Sequence, residues 1–211
     1  MTKNAKMKGK EKEEIEEIKI ILIGDSGVGK TNLINTSLGK NFQTYEESTI
    51  SPSYSLLKFE IEGKKYLLDL WDTAGQEKYL KVTKLFFKGS GIIILVYDIT
   101  NAQSFENLKN WYKISEDIIE TEHLYGLAGN KNDMFMDAKV LEEDALKYAN
   151  SINAKFRLVS AKTEPQLFVD FLEELLKTYK KTDTKRRSQS IKLKKKNVNK
   201  TKGKGNCMGC E

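Results

Sequence analysis

Hydrophobic positions in this chain fall into short continuous runs, and longer stretches of helical spacing separate those runs. The short runs predict six β-strands, which are Ile18–Ile23, Tyr54–Ile61, Lys65–Trp71, Ile92–Tyr97, Leu124–Gly129 and Lys155–Val159. The stretches of helical spacing predict helices at Lys30–Leu38, around Leu80–Phe87, and at Ser104–Ile119, Leu141–Asn150 and Pro165–Thr178. Because alternating strands and helices need crossover connections, the pattern predicts an α/β fold with a six-stranded, mostly parallel sheet covered on both faces.

Two terminal segments lack the apolar periodicity of a folded core. Residues 1–17 mix lysine with glutamate, and residues 180–211 contain almost no aromatic or branched apolar side chains. Segments of this composition do not bury enough apolar surface to offset the entropy of ordering them. We therefore predict a disordered N-terminal lead, a single domain at residues 18–179 and a disordered C-terminal tail.

Charge is distributed unevenly between the predicted domain and the tail. Residues 180–204 contain twelve lysines and arginines and one acid, a net +11, so the remainder carries −5 although the formal total is +6. A uniformly basic nucleic-acid-binding fold would not separate its charge in this way, and we expect no nucleic-acid partner. A polybasic tail suits an anionic membrane surface. No apolar run has the length of a membrane span, and no secretory signal is expected.

The segment between the first predicted strand and the first predicted helix reads GDSGVGKT and fits the phosphate-binding pattern G-x-x-x-x-G-K-[ST]. Glycines let successive backbone N–H groups turn toward a phosphate, and the helix N-terminus adds partial positive charge. Lys30 is predicted to reach the outer phosphates in a catalytic role, and the Thr31 hydroxyl to ligate Mg²⁺. The other residues predicted to bind nucleotide here are Ser26, Gly27, Val28, Gly29 and Asn32. A chance glycine-rich turn is the alternative, which the strand–loop–helix context disfavours.

A second candidate motif, WDTAGQE, follows the third predicted strand. Asp72 stands at the carboxyl end of that strand, where a carboxylate near a phosphate loop serves Mg²⁺, often through water. Gly75 is a point at which the backbone can approach a γ-phosphate, and Gln76 is placed to orient an attacking water. An ordinary turn is the alternative explanation of this motif.

A third group of residues predicts which base is bound. Asn130, Lys131 and Asp133 end the fifth predicted strand, and Ser160-Ala161-Lys162 ends the sixth. A carboxylate can accept both N–H groups on the edge of guanine, whereas adenine has no matching pair of donors. A backbone N–H in the second segment can meet the base oxygen, and the stems of the two lysines can pack around the ring. A polar loop is the alternative for the first segment taken alone.

Taken together, these motifs resemble the Ras superfamily of small GTPases, and within it the Rab family, over about residues 19–178. The closest stretches read GDSGVGKT, LWDTAGQE, FFKGSGIIILVYDIT, NAQSFENLKNW, GNKND and SAK. The resemblance implies the P-loop fold of a small G protein, with Mg²⁺ as cofactor and GTP or GDP as the bound nucleotide. It also implies a slow GTP hydrolase that switches vesicle traffic. The segment FQTYEESTI adds a slight indication of the endosomal branch.

The resemblance assigns further residues. Thr49 matches the switch I threonine that closes on Mg²⁺ and the γ-phosphate, and Phe42 matches the aromatic that packs on guanine. Tyr54, Trp71 and Phe86 match the aromatic triad that effectors contact. The implied partners are effectors, an exchange factor, a GTPase-activating protein, and prenylation and extraction machinery. The implied location is the cytoplasmic face of an intracellular membrane, in exchange with the cytosol.

The chain departs from the family pattern at two places. Thr49-Ile50 is followed by Ser51-Pro52, where the family usually has glycine and then a residue other than proline. Pro52 removes a backbone donor and stiffens the entry to the second strand, so switch I geometry and effector choice are affected. Lys78 replaces the usual arginine after Gln76-Glu77.

The cysteines of this chain, Cys207 and Cys210, both lie in its last five residues. They are too few and too close to staple the fold, so a reducing setting is expected. A C-a-a-X box is absent because Met208 stands fourth from the end. Rab-like tails often carry two nearby cysteines for double prenylation, and two lipid chains with a polybasic segment give stable anchoring. A zinc site or a redox pair is the alternative.

Two other function classes remain as alternatives. The first is a P-loop phosphotransferase acting on a small molecule, which needs a substrate lid and arginines. The second is a nucleic-acid-associated GTP-binding protein that uses its basic tail, although no base-reading module is evident.

Overall fold

The computed structural model describes residues 15–44, 49, 52–73 and 86–202, with side chains up to Asp183. The strands are β1 Glu16–Ile23, β2 Ser53–Ile61, β3 Lys64–Asp72, β4 Ile92–Asp98, β5 Leu124–Asn130 and β6 Lys155–Leu158. They form one sheet in the order β2-β3-β1-β4-β5-β6. β2 and β3 pair antiparallel, and the other four pairings are parallel. The predicted six-stranded, mostly parallel sheet is confirmed.

The helices are α1 Lys30–Ser37, α2 Ala102–Glu106, α3 Leu108–Ile118, α4 Glu142–Ser151 and α5 Pro165–Lys202, and residues Asn132–Asp137 form a 3₁₀-helix. Of the helix predicted around Leu80–Phe87, residues 86–87 are described and are helical. The helix predicted at Ser104–Ile119 is two helices that meet at Asn107. The first begins earlier than predicted because the Asn101 side chain caps it, accepting the backbone N–H groups of residues 103 and 104.

The core lies in two layers, one on each face of the sheet. Successive residues of β1 alternate between the layers, because side chains of a strand point to opposite faces. Ile20 and Leu22 pack in the layer under α1 and α5, and Ile21 and Ile23 pack in the layer under α3 and α4. All four are fully buried, which is why residues 20–23 of this strand form a continuous apolar run.

Helix α5 corrects the prediction for the tail. It begins at Pro165 as predicted but runs to Lys202, so residues 180–202 are helical and not disordered. No glycine or proline interrupts residues 166–202, and the lysines and arginines there are good helix formers. Low apolar content was therefore the wrong criterion for ending the helix. Although α5 is long, it is rich in charged residues. Among the described residues, no helix has both the length and the apolar character needed to cross a bilayer.

Strand β1 corrects the predicted boundary at the other end of the domain. The strand starts at Glu16 and not at Ile18, because Glu16 and Glu17 pair with β3 opposite Tyr66 and Leu67. The Glu16 carboxylate also forms an ion pair with Lys180 of α5. This contact joins β1 to α5 at a residue just beyond Thr178, where α5 was predicted to end.

The register of the parallel strands brings polar residues to one edge of the sheet. Asp72 at the end of β3 lies opposite Leu22 of β1, so it is close to the loop that follows β1. Asp98 at the end of β4 lies opposite Asn130 at the end of β5. This carboxyl edge is where ligands bind in open α/β sheets.

Candidate functional site

A cavity of about 320 Å³ opens at the carboxyl edge of the sheet. Its lining residues are Ser26, Gly27, Gly29, Lys30, Thr31, Asn32, Phe42, Thr44, Thr49, Thr73, Asn130, Lys131, Asp133, Met134, Ala161 and Lys162. They come from six separate segments, and thirteen of them are residues predicted to bind nucleotide. The three predicted residues missing from the lining are Val28, Ser160 and Gly75. Gly75 lies outside the described residues.

The phosphate loop, residues 24–31, turns through positive φ angles at its glycines, with φ of 145° at Gly24, 78° at Gly27 and 95° at Gly29. The loop folds around the side chain of Lys30, whose Nζ donates to the carbonyl oxygens of Gly24 at 2.8 Å and Asp25 at 2.9 Å. Burial lowers the pKa of Lys30 to about 8, and the charges of Asp72 and Asp25 oppose that shift. Two carbonyl dipoles only partly compensate this buried ammonium, so the pocket favours an anionic ligand.

Three oxygen-bearing side chains meet at the next part of the cavity. The Thr31 hydroxyl donates to Asp72 Oδ2 at 2.7 Å, the Thr49 hydroxyl donates to the same oxygen at 3.2 Å, and the two hydroxyls are 3.1 Å apart. Burial raises the pKa of Asp72, opposed by the hydrogen bond from Thr31 and the charge of Lys30. Its other oxygen, Oδ1, is buried and has no hydrogen-bond partner within the described part of the chain.

This donor set fits a hard divalent cation such as Mg²⁺. Hydroxyl and carboxylate oxygens are its preferred protein ligands, and the unpaired Asp72 oxygen is available to one of its waters. The described residues contain no group of three or more His, Cys, Asp or Glu side chains that could hold a metal. A cation bound beside Thr31 would therefore complete its coordination with water and ligand phosphates, as Mg²⁺ commonly does.

The Asn130 side chain joins three loops at the base of the cavity. Its Nδ2 donates to the Val28 carbonyl at 2.8 Å, and its Oδ1 accepts the Ala161 N–H at 3.3 Å. The amide leaves no room for a side chain on the phosphate loop, because a Cβ atom at Gly29 would lie 2.3 Å from Asn130 Nδ2. Asn130 thus braces the phosphate loop against the segments that were predicted to hold the base.

The base end of the cavity presents one carboxylate and two lysine stems. Asp133 Oδ1 accepts the Ser160 hydroxyl at 2.6 Å, so Ser160 contacts Asp133 although it does not line the cavity. Lys131 adopts a left-handed backbone conformation with φ of 67°, and its Nζ pairs with Asp98 Oδ2 at 2.7 Å. Lys162 lines the same end. The predicted lysine and aspartate therefore lie together, with their orientations fixed by neighbours.

Phe42 lines the cavity on a segment that Asn32 holds in place. Asn32 Nδ2 donates to the Gln43 carbonyl at 2.9 Å, and Asn32 Oδ1 accepts the Gln43 N–H at 3.0 Å. Asn32 was predicted to bind nucleotide, and it lines the cavity. Its paired hydrogen bonds show that it also positions the segment carrying Phe42.

The three aromatics predicted to contact effectors form one cluster on β2, β3 and residue 86. The ring centroids of Tyr54 and Trp71 are 5.5 Å apart, and those of Trp71 and Phe86 are 5.3 Å apart. Tyr54 is 62% exposed, which is unusual for a large aromatic. The cluster is thus accessible to a partner. Its role in binding effectors stays a prediction.

Several predicted residues lie outside the described part of the chain. They are Gly75, Gln76, Cys207 and Cys210, together with Ser51 and Lys78 of the two departures from the family pattern. Pro52 is described and stands directly before β2. The roles predicted for the other residues therefore stay predictions.

The partners of Asp25 are functional-site neighbours that no sequence motif indicates. Its Oδ1 accepts the indole N–H of Trp111 at 2.8 Å, and its Oδ2 accepts an amide N–H of Asn107 at 2.8 Å. These residues are 82 and 86 positions away from Asp25 along the chain. No spacing rule connects them. The acid within the loop was a possible signal, since a carboxylate there needs a donor pointing away from the ligand.

Comparison with known proteins gives consistent matches. The model of the Ras family matches residues 19–181. The chain is 45% identical over 145 residues to the Ras-related protein Rab-13 of Mesocricetus auratus, covering 69% of this chain and 71% of that one. It is 41% identical over 145 residues to human Rab-8B, covering 69% and 70%. It is 35% identical over 187 residues to RABE1e of Arabidopsis thaliana, covering 87% and 86%.

Proposed function

This chain belongs to the Rab family of the Ras superfamily, so we propose that it is a membrane-anchored switch of vesicle traffic. As a member of this family it is a small GTPase that binds GTP and GDP and hydrolyses GTP. The observation that carries the proposal is one cavity with a buried ammonium, a Mg²⁺-type donor set and a base-end carboxylate. Their order matches the phosphate, metal and base regions of a nucleotide. GTP bound there would present its γ-phosphate near Thr49 and its guanine near Asp133.

We assign the hydrolysis to residues around the phosphate end. Water attacks the γ-phosphorus in line, a new P–O bond forms, and the bond to the β–γ bridging oxygen breaks to give GDP and phosphate. Lys30 stabilises charge on the phosphate oxygens, and Gln76 orients the water. Thr31 and Thr49 would hold Mg²⁺ directly and Asp72 through water, and the ion supplies charge neutralisation for the phosphates.

Hydrolysis by the chain alone is proposed to be slow. No arginine occurs in residues 24–51, so a cis arginine that could stabilise the transition state is missing from the phosphate loop and switch I. A partner that inserts one would supply a factor of about 10³–10⁵. A GTPase-activating protein is therefore the proposed partner for turning the signal off.

Signalling follows from the contacts of the γ-phosphate. We propose that it holds Thr49 and the backbone of Gly75, so that its loss releases both switch segments. In the aromatic cluster of Tyr54, Trp71 and Phe86, the exposed Tyr54 and the partly buried Trp71 lie on β2 and β3, which adjoin these segments. It is the proposed surface on which effectors read the GTP state.

The Gln76→Leu variant tests the hydrolysis mechanism. Leucine cannot orient water, so intrinsic GTP hydrolysis should fall on the order of 10-fold, below the effect of losing a proton-transferring base. GTP and GDP affinities should not change. Single-turnover phosphate release measures the rate, and Gln166→Leu, an exposed glutamine on α5, is the control. A Gln76→Leu variant with wild-type partner-stimulated hydrolysis would contradict the role given to Gln76.

The nucleotide itself tests the function as a whole. The nucleotide that copurifies with the full chain should be GDP or GTP, identified by chromatography of the denatured protein. GTP should displace it, and an equal concentration of ATP should not. Phosphate transfer from the nucleotide to a small-molecule acceptor would instead support a phosphotransferase.

Replacing Thr31 with alanine tests the metal site. The change removes a hydroxyl ligand and the donor to Asp72, so GDP release at saturating Mg²⁺ should become about 10-fold faster. Removing Mg²⁺ with EDTA should speed GDP release less in this variant than in the wild type, because Mg²⁺ already contributes less to holding GDP. Displacement of a fluorescent GDP analogue measures both. Thr36→Ala, which removes a hydroxyl bonded within α1, should keep the wild-type EDTA response. The metal assignment fails if Thr31→Ala also keeps the wild-type response to EDTA.

Membrane anchoring is tested at the C-terminal cysteines. We propose that Cys207 and Cys210 carry lipid and that the basic segment at residues 180–204 adds attraction to anionic lipid. Replacing both cysteines with serine should shift the protein from the membrane fraction to the cytosol of fractionated cells. Met208→Ser, which keeps both cysteines, is the control. Retention of the double variant on particulate material through nuclease-sensitive contacts would favour nucleic-acid binding instead.

A further inference from the structure

An acidic residue inside a phosphate-binding loop presents an electrostatic problem. Asp25 follows the first glycine of the loop, and its carboxylate would repel a phosphate if it turned into the cavity. The structure turns it outward: both of its oxygens accept hydrogen bonds from α3 and the residue before it. The donors are the Trp111 indole and the Asn107 amide, which are neutral. Asp25 is not among the residues that line the cavity.

Asp25 is also connected to the phosphate site through its backbone. Its carbonyl oxygen accepts Lys30 Nζ at 2.9 Å, beside the Gly24 carbonyl at 2.8 Å. Asp25 therefore links α3, which its side chain contacts, to Lys30, which its backbone carbonyl contacts. The side chain is fixed to α3, and the carbonyl positions the ammonium that faces the ligand phosphates.

The α3 side of this link is rigid. Trp111 is 5% exposed and packs in the core layer under α3 and α4, so its indole N–H has a fixed direction. Asn107 Oδ1 accepts Gln103 Nε2 at 2.9 Å, and that bond orients the other end of the amide, Nδ2, toward Asp25. Neither donor can rotate away without losing packing or a hydrogen bond.

We propose that Asn107 and Trp111 are positioning residues for the phosphate site. They hold the Asp25 carboxylate out of the cavity and fix the carbonyls that orient Lys30, so the start of α3 controls how fast nucleotide leaves. This inference rests on the proposed nucleotide-binding function. It predicts that a change in α3 alters nucleotide release without any contact between α3 and nucleotide.

Release of a fluorescent GDP analogue from the full chain measures the effect. Asn107→Ala and Trp111→Phe each remove one donor to the Asp25 carboxylate and should speed release by about 3- to 10-fold. This is less than the full effect of losing a hydrogen bond to a charged group, because the remaining donor still holds the carboxylate. Asn107→Asp should speed it further, because two carboxylates then face each other. Asn110→Ala and Tyr112→Phe, on the same helix, should release GDP at the wild-type rate.

A reversed pair separates positioning from general damage. In the Asp25→Asn background, the new amide can accept the Trp111 N–H and donate to the carboxylate created by Asn107→Asp. This double variant should return to within about 3-fold of the wild-type rate, since the same number of hydrogen bonds is restored. The GDP-to-IDP affinity ratio should stay at the wild-type value in every variant, because the base end is not altered.

Indole NMR adds a direct signature. The chain has two tryptophans, so the Trp111 indole N–H resonance is the one lost in Trp111→Phe. In the GDP-bound wild type it should exchange slowly with water, and Asp25→Ala should speed that exchange. Wild-type release from Asn107→Ala and Trp111→Phe would overturn the proposal, as would failure of the reversed pair or a changed GDP-to-IDP ratio. If the wild type itself binds no GDP, the proposed function is wrong, and this inference is then wrong as well.

Discussion

Replacing Asp133 with asparagine is expected to change the base preference of the protein from guanine to xanthine. The Asp133 carboxylate accepts the Ser160 hydroxyl and lines the base end of the cavity, where we propose that it accepts both N–H groups of the guanine edge. Asparagine keeps one acceptor but offers a donor in place of the other. Two charge-assisted hydrogen bonds are then lost or opposed, and GTP affinity should fall by about 10³-fold, or about 4 kcal/mol.

Xanthine has an oxygen where guanine has its amino group, so the new amide donor has a partner there. XTP should therefore bind the Asp133→Asn variant more tightly than GTP, as measured by competition against a fluorescent nucleotide. Asp137→Asn is the matched control, because Asp137 is an exposed acid at the end of the same 3₁₀-helix. Retained GTP preference in Asp133→Asn would show that another group reads the base.

Replacing Gly24 with alanine is expected to destabilise the domain by about 3–5 kcal/mol in its free energy of unfolding. A Cβ atom there would lie 2.1 Å from the carbonyl oxygen of Val96, in the middle of β4. A backbone atom of a central strand cannot move aside cheaply. The φ of 145° at Gly24 also lies in a region that residues with a side chain rarely adopt. Urea unfolding at a fixed excess of GDP measures the loss.

Gly63→Ala separates the clash from the backbone strain. Gly63 also has a positive φ, 74°, but it lies in the β2–β3 turn, and a Cβ atom there has nothing within 4 Å. Its replacement should cost about 1 kcal/mol. Equal losses in the two variants would mean that β1 and β4 separate more readily than their packing indicates.

Much of the fold could be predicted because it depends on local pattern. The second half of β1 and nearly all of β4 are apolar runs because both faces of these strands are buried there. Helix α5 begins at Pro165 because proline suits a first helical turn. The end of α5 could not be predicted from composition. An ion pair joins Lys180, near the predicted end of the helix, to Glu16 of β1, which is far away in sequence. No glycine or proline interrupts α5 before residue 203.

The candidate site shows the same division between local and distant information. Lys30, Thr31 and Asp133 could be found because the ligand contacts require those residue types at fixed spacing along the chain. The supports of these residues could not be found in this way. Asn107 and Trp111 reach Asp25, and Asp98 reaches Lys131, only after the strands are in register. Sequence spacing thus identified side chains that line the cavity, and it could not identify the side chains that hold them in position.

The length of α5 has a consequence for the geometry of attachment. Its last 23 residues, 180–202, continue the same helix without interruption, and a helix of that length spans about 35 Å. A flexible coil of the same number of residues would have an average end-to-end distance of about 27 Å and would sample many shorter ones. If the proposed lipids are attached to the final residues, this helix would act as a stiff spacer between them and the domain. It would fix the distance along its own axis between the domain and the anchored end, whereas a coil of the same length would let that distance collapse.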